Sequence, residues 1–269
     1  MRLRFHKSKW ETPELSLAEF LQRTAQDGFH GTELYLPILD EPTSAVRVQH
    51  ADAGLDLIAQ VFTEGQTPAD HQDRFDRQFD EALEAGAVLI NTHAGRDIFP
   101  FDANVRLFEH ICARSRDAGV PVYVETHRRR PTYSAIETRR YLDAVADLML
   151  TADVSHWMVV HESLLHDQKE TLDYAIRRTG HVHARVGYGE GPQVPDPRAA
   201  HWSRETERHL EIWQRTLAAS RAAGREVLTI TPEFGPPPYM HTHPASGEPL
   251  VDTWAVNVYV KNWLTGRLA

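Results

Sequence analysis

The chain has 269 residues, 41% hydrophobic and 25% charged, which is enough apolar material for one large core and the composition of an ordinary soluble globule. Asp and Glu number 38 against 29 Lys and Arg, and the formal charge of −9 argues against a surface built to hold the phosphate backbone of nucleic acid. The single cysteine, Cys112, excludes an intrachain disulfide and suits a reducing compartment. Met1 to Lys7 carries charge without a following apolar run, and no stretch approaches a membrane span, so a cytoplasmic protein with no membrane partner is expected.

Apolar runs and helical patterns alternate from end to end. Leu3 to Phe5 leads through Thr12-Pro13-Glu14, read as a cap with proline in the first turn, into Leu17, Phe20 and Leu21 at helical spacing. Thr32 to Leu36 is the next strand, and Leu55 to Phe62 follows a short helix. Thr67-Pro68 opens a helix with Phe75, Phe79 and Ala82 on one stripe, ahead of the strand Val88 to His93. Phe108, Ile111 and Cys112 mark the helix before Val122 to Glu125. A helix near Tyr133 to Val145 precedes the strand ending at Asp153. Helices over His161 to Arg178 and Trp202 to Ala223 precede the strands carrying His183 and Glu233, and Val251 to Leu264 is the last helix.

Gly28, Gly54, Gly86, Gly119, Gly180 and Gly224 each stand between a helix and a strand, where a left-handed residue turns the chain back. Most of the strand–helix units are about thirty residues long, the period of parallel strands joined by crossover helices. Eight such units predict a closed (β/α)₈ barrel, a TIM barrel, as a single domain over residues 1–269; an open doubly wound sheet is the rival. The period breaks between His183 and Glu233, where Gly187 to Arg198 is too rich in Gly and Pro for a helix and reads as a lid or pocket wall.

The last four strands share a pattern. Successive side chains of a strand point to opposite faces, so Tyr123 and Glu125 oppose Val122 and Val124, and Thr151 and Asp153 oppose Leu150 and Ala152. His181, His183 and Arg185 likewise oppose Val182 and Ala184, while Thr229, Thr231 and Glu233 oppose Leu228 and Ile230. Four polar faces thus end in Glu125, Asp153, His183 and Glu233. Three oxygen donors and one imidazole suit a divalent metal, Mn²⁺ first, with Mg²⁺, Co²⁺ or Zn²⁺ as substitutes.

The segments Val124-Glu125-Thr126-His127, Asp153-Val154-Ser155-His156, His181-Val182-His183 and Pro232-Glu233-Phe234-Gly235 resemble the xylose isomerase-like TIM barrels of the sugar isomerase and epimerase type, over essentially the whole chain. Ketose 3-epimerases and apurinic endonucleases belong to the same superfamily. The resemblance implies that Glu125, Asp153, His183 and Glu233 hold the metal and that His156 contacts substrate. The epimerases also use an arginine after the metal histidine; Arg185 is the nearest match here, closer than the family spacing. Carried over, the chemistry is metal-assisted proton transfer α to a carbonyl through an enediolate, with Glu125 and Glu233 as base and acid and with His156 and Arg185 stabilising the oxyanion.

Further candidates for substrate contact are His93, His127, Arg128, Trp157 and His181, the last also readable as a partner lying one layer below His183. Glu33 either faces the pocket or pairs with a basic residue. Three consecutive arginines, Arg128 to Arg130, suggest an anionic substrate group or a loop balancing the site's own charge. The expected partner is a small carbohydrate, and a homo-oligomer is compatible with the sequence. The competing readings are a lyase performing β-elimination on an oxidised 3-oxo-glycoside, a phosphodiesterase acting on damaged DNA, which the acidic balance disfavours, and a non-catalytic barrel.

Overall fold

The computed structural model describes residues 1–268. Eight parallel strands close into a barrel in chain order, with β1 pairing with both β2 and β8. They are β1 (Arg2–Ser8), β2 (Gly31–Leu34), β3 (Asp56–Phe62), β4 (Leu89–His93), β5 (Val122–Glu125), β6 (Leu150–Ala152), β7 (Thr179–Ala184) and β8 (Val227–Pro232). The α-helices are α1 (Leu17–Gln26), α2 (Thr43–Ala53), α3 (Pro68–Glu84), α4 (Phe101–Ala118), α5 (Ala135–Ala144), α6 (Val154–His161), α7 (Lys169–Arg177), α8 (Ser203–Ala222) and α9 (Thr253–Leu268). Closure of β1 on β8 excludes the open doubly wound sheet.

The local signals act largely where the sequence places them. Thr67 caps α3 through Asp70, with Pro68 in the first turn. Helix α1 starts later than expected: Ser16 and Glu19 form its capping box, and Thr12 instead closes a turn onto the Lys9 carbonyl at 2.9 Å. The reciprocal Ser16–Glu19 bonds satisfy two amide donors, which the Thr12-Pro13 pair does not offer.

The helix expected over His161 to Arg178 is two. Helix α6 ends at Glu162 in the left-handed region (φ 48°), Leu165 is left-handed as well, and α7 begins at Lys169. Ser163 Oγ accepts from the Leu165 amide and donates to Asp167, a local network that interrupts the apolar stripe. Helix α6 is thus an extra element that starts immediately after Asp153.

Five of the six joining glycines have φ between 64° and 79°. Gly180 does not; it lies inside β7, and a Cβ there would meet the Tyr123 ring at 2.3 Å. Its role is close approach, with Tyr123 of β5 filling the space beside it. Apolar side chains of the opposite parity, such as Val124, Leu150, Val182 and Ile230, are packed into buried clusters with the helices. The inner parity of the barrel is largely polar: His6, Glu33, Asn91, Thr151, His181 and Thr231 are all fully buried. Packing therefore comes mostly from the layer between sheet and helices, and the interior is left to hydrogen bonding.

Gly180→Ala is expected to cost about 1–3 kcal/mol through overpacking, and pairing it with Tyr123→Ala should recover part of that loss. Urea unfolding of the two single variants and the double variant measures the coupling.

Candidate metal centre

The strand ends carry the site. Glu125 is the last residue of β5, Asp153 follows β6, His183 lies near the end of β7, and Glu233 follows β8. All four are buried, and one ligand-capable atom from each lies within 4.8 Å of the others. That spacing is what donors about 2.1 Å from one small cation require. Glu33, His181 and His183 form a smaller grouping, as do His93, Glu125 and His127.

Backbone contacts position the acids. Asp153 caps α6, Oδ1 accepting from the Ser155 amide at 3.0 Å and from its hydroxyl at 2.5 Å. Thr126 Oγ1 accepts from the Asp153 amide and donates to the Asp153 carbonyl, both at 2.8 Å, clamping that peptide to the end of β5.

Below the quartet lies Glu33. His183 Nε2 donates to its Oε1 at 2.9 Å, His181 Nε2 to its Oε2 at 3.2 Å and Thr231 Oγ1 to Oε2 at 2.5 Å, while the amides of Gln60 and Asn91 donate to Oε1 at 3.1 and 3.0 Å. An ionised carboxylate only accepts, so it holds the proton of His183 on Nε2 and leaves Nδ1 for the quartet. His183 Nδ1 lies 2.9 Å from Glu233 Oε2 and 3.4 Å from Glu125 Oε2, buried and without a hydrogen-bond partner among the described residues. Burial would depress the His183 imidazolium, but Glu233, Glu33 and Glu125 outweigh it and hold its pKa well above the usual value. Burial likewise pushes Asp153 up to about 6, against the pull of Arg185 and with Glu233 and Glu125 adding to it.

Arg185 bridges two of the acids, Nε to Asp153 Oδ2 at 3.1 Å and Nη2 to Glu233 Oε2 at 2.6 Å. Its guanidinium lies 4.4 Å from the ring centre of Tyr239 and 5.6 Å from that of Trp10. Gly235 makes room for Trp10, whose ring a Cβ there would meet at 2.3 Å.

His93, His127 and His156 form a tilted stack, with ring centres 4.7 Å apart for the first pair and 3.9 Å for the second. His93 Nε2 makes a short contact with Glu125 Oε2. His156 is fully buried, Nε2 is 3.6 Å from Asp153 Oδ2, and neither ring nitrogen has a hydrogen-bond partner among the described residues. Burial, then His127 and Arg185, keep it neutral by lowering its pKa well below the usual value.

A cavity of about 340 Å³ opens onto Glu125, Glu233 and Arg185, with Trp10, Tyr35, Phe62 and Tyr239 as its aromatic wall and His93 and His127 on its surface. Of the residues expected to meet substrate, His93 and His127 line it, and four do not: His156 is fully buried against His127, and Trp157, His181 and Arg128 lie elsewhere. Trp157 is 1% exposed, packs in the core and donates Nε1 to the Thr132 carbonyl at 2.9 Å. His181 is buried beneath His183 on Glu33 and Thr229. Arg128 lies over the far side of Tyr239, at 5.2 Å, and lines an adjoining cleft with Tyr188, Gln193 and His241. The Gly187 to Arg198 segment walls that cleft: Gln193 is buried, exchanging hydrogen bonds with Gly235 at 2.7 and 3.0 Å.

The reading of strand parity missed Asn91 and Gln60, although both lie two residues from other inward side chains and the same alternation would have found them. Trp10 and Tyr239 lie in loops, where no periodicity marks them.

The sequence matches a family model described as a xylose isomerase-like TIM barrel over residues 21–194. No curated protein matches it. Among solved structures, D-allulose 3-epimerase from Methylomonas sp., in complex with D-allulose, is 14% identical with a TM-score of 0.67, covering 99% of this chain and 97% of that one. The 3-keto-D-glucoside 4-epimerase from E. coli is 14% identical, with a TM-score of 0.59 over 98% and 100% of the two chains. Endonuclease IV from Thermus thermophilus is 16% identical, with a TM-score of 0.59 over 99% and 100%. At such identities the likeness to these structures speaks for the fold alone. The family match spans well over half of the chain, and with the closed barrel it establishes that the chain belongs to the xylose isomerase-like TIM-barrel family.

Proposed function

We propose that the protein is a divalent-metal-dependent isomerase or epimerase that moves a proton α to the carbonyl of a sugar or sugar phosphate. One observation carries the reading: Glu125 and Glu233 both border the cavity and both belong to the quartet. Two such carboxylates can serve one carbon as base and acid.

The residues suit a divalent ion. Glu33, Glu125, Asp153 and Glu233 are buried together against one guanidinium, and the unpartnered His183 Nδ1 faces carboxylate oxygens. An added dication would bring the group close to charge balance and give Nδ1 a partner. Held by Glu125, Asp153, His183 and Glu233, such an ion, best Mn²⁺ for this donor set, would polarise a carbonyl as a Lewis acid.

The remaining work falls to side chains. Glu125 takes the proton from the substrate carbon and Glu233 returns one from the other side, or the reverse, according to the configuration of the substrate. Arg185, fixed by Asp153 and Glu233, contributes its positive charge near the oxygen on which negative charge develops, while His156, stacked on His127, supports the site without bordering the cavity. The aromatic wall gives the sugar an apolar surface and excludes water. The epimerases among the similar structures act on small sugars, which supports a carbohydrate substrate; the net charge of −9 weighs against a DNA substrate.

An NMR screen of ketoses, ketose phosphates and 3-oxo-glycosides in D₂O should find one whose α-proton exchanges in a metal-dependent way. Stripping with EDTA should abolish the exchange and Mn²⁺ restore it. Glu125→Gln and Glu233→Gln should each slow it by about 10²-fold or more, and full turnover in either variant would sink the assignment. Release of a leaving group with the exchange would convert the reading to β-elimination.

Glu33→Gln removes the negative charge behind His183 and turns one of the two accepting oxygens into a donor, without touching the cavity. Manganese affinity, measured by calorimetry, should fall about 10–100-fold, while unchanged affinity would show that the contact with Glu33 does not tune the ligand.

A further inference from the structure

Arg96, Arg129 and Arg130 stand in the loops that follow β4 and β5. In a chain with more acids than bases, none of the three forms an ion pair among the described residues; the nearby Glu64 is taken by Arg74 at 3.3 Å. Arg130 Nη1 donates to the carbonyls of Thr63 at 2.8 Å and Gly95 at 3.1 Å, tying the loops after β3 and β4 together, and its Nε and Nη2 make no hydrogen bond among the described residues. Arg96 Nε is buried and equally without a partner. Arg129 has φ of 70°, a left-handed conformation that costs a side-chain-bearing residue energy.

These arginines, with Thr63, Glu64 and Gly65, line a recess of about 240 Å³. Arg130 lines both this recess and the cavity that holds Glu125 and Glu233, so the two spaces share a wall. Burial, and then the charge of Arg129 beside it, lower the Arg130 pKa to about 10, so holding these cations together is unfavourable until a counter-charge arrives. Planar guanidiniums with free N–H groups suit the oxygens of a carboxylate or phosphate, which they bind in pairs.

We propose that this recess is an anion subsite, in which Arg96, Arg129 and Arg130 receive a carboxylate or phosphate carried by the substrate at a distance from its reacting carbonyl. The rest of the ligand being a sugar depends on the function proposed above; the anion subsite itself depends only on the recess. The protein then acts on an acidic or phosphorylated sugar in preference to a neutral one.

Calorimetric titration of the metal-loaded protein with inorganic phosphate and with galacturonate, at constant ionic strength, tests the subsite directly. Saturable binding of at least one anion is expected, and whichever binds tighter identifies the group. Arg96→Gln with Arg129→Gln should weaken that binding about tenfold or more, Arg96→Lys with Arg129→Lys should retain most of it, and Arg116→Gln, which removes one charge from a surface pair with Asp147, should leave it unchanged. Arg130 is left intact because its carbonyl bonds hold the loops. No saturable binding of either anion, or equal binding by the double glutamine variant, overturns the proposal.

Exchange in D₂O separates the two readings. If no sugar of any class exchanges, the proposed function fails while the anion titration still decides the subsite. If neutral ketoses exchange with a KM equal to that of their phosphates or uronates, and the double glutamine variant does not change it, the subsite fails and the function stands.

Discussion

The structure depends on one buried carboxylate. Glu33 projects from β2 into the barrel and accepts from side chains on β3, β4, β7 and β8, so a single anion joins strands that are distant in sequence. A carboxylate without water is tolerable only when donors surround it, and here five do. His183 is one of those donors, and the hydrogen bond from its Nε2–H to Glu33 decides which nitrogen faces the quartet. The orientation of the imidazole that faces the quartet is thus set from beneath by a residue that never reaches the cavity.

The polar interior shapes the rest. In many such barrels, layers of branched apolar residues fill the middle; here the inner parity is rich in His, Glu, Asn and Thr, each buried and mostly hydrogen-bonded. Hydrophobic burial is supplied outside the sheet, where strands and helices pack, and this separation lets the interior serve chemistry. Acids concentrate at the centre of the mouth, with Arg185 among them, while the unpaired Arg96, Arg129 and Arg130 stand to one side. A cation held by those acids would receive a neutral oxygen such as a carbonyl, and the arginines an anion, so one molecule carrying both groups would suit the two regions together.

Membership of the xylose isomerase-like TIM-barrel family leaves the reaction to the details of the mouth. Here these are aromatic: Trp10, Tyr35, Phe62 and Tyr239 face the cavity, and the close approach of Trp10 to Gly235 brings an indole beside the Arg185 guanidinium. Such a wall suits a small ligand with both apolar and polar faces. The Gly187 to Arg198 segment extends it into a second cleft bordered by Arg128, so ligand contacts can extend past Tyr239.

Alternation along single strands determined much of this protein. It put Glu125, Asp153, His183 and Glu233 on one parity of successive strands, and the repeated unit implied that those strands close on themselves, because side-chain direction and chain reversal are local properties. The tertiary structure alone decided whatever depends on neighbours across the barrel. Gly180 accommodates an aromatic ring from β5 and is not a helix cap, Trp157 faces the core, and Arg128 lies beyond Tyr239, since each outcome reflects which side chain arrives from a remote strand or loop. In the sequence Glu33 reads either as a pocket acid or as the partner of a basic residue; that it gathers two histidines, a threonine and two amides could emerge only when five strands were brought to within hydrogen-bonding distance of one point.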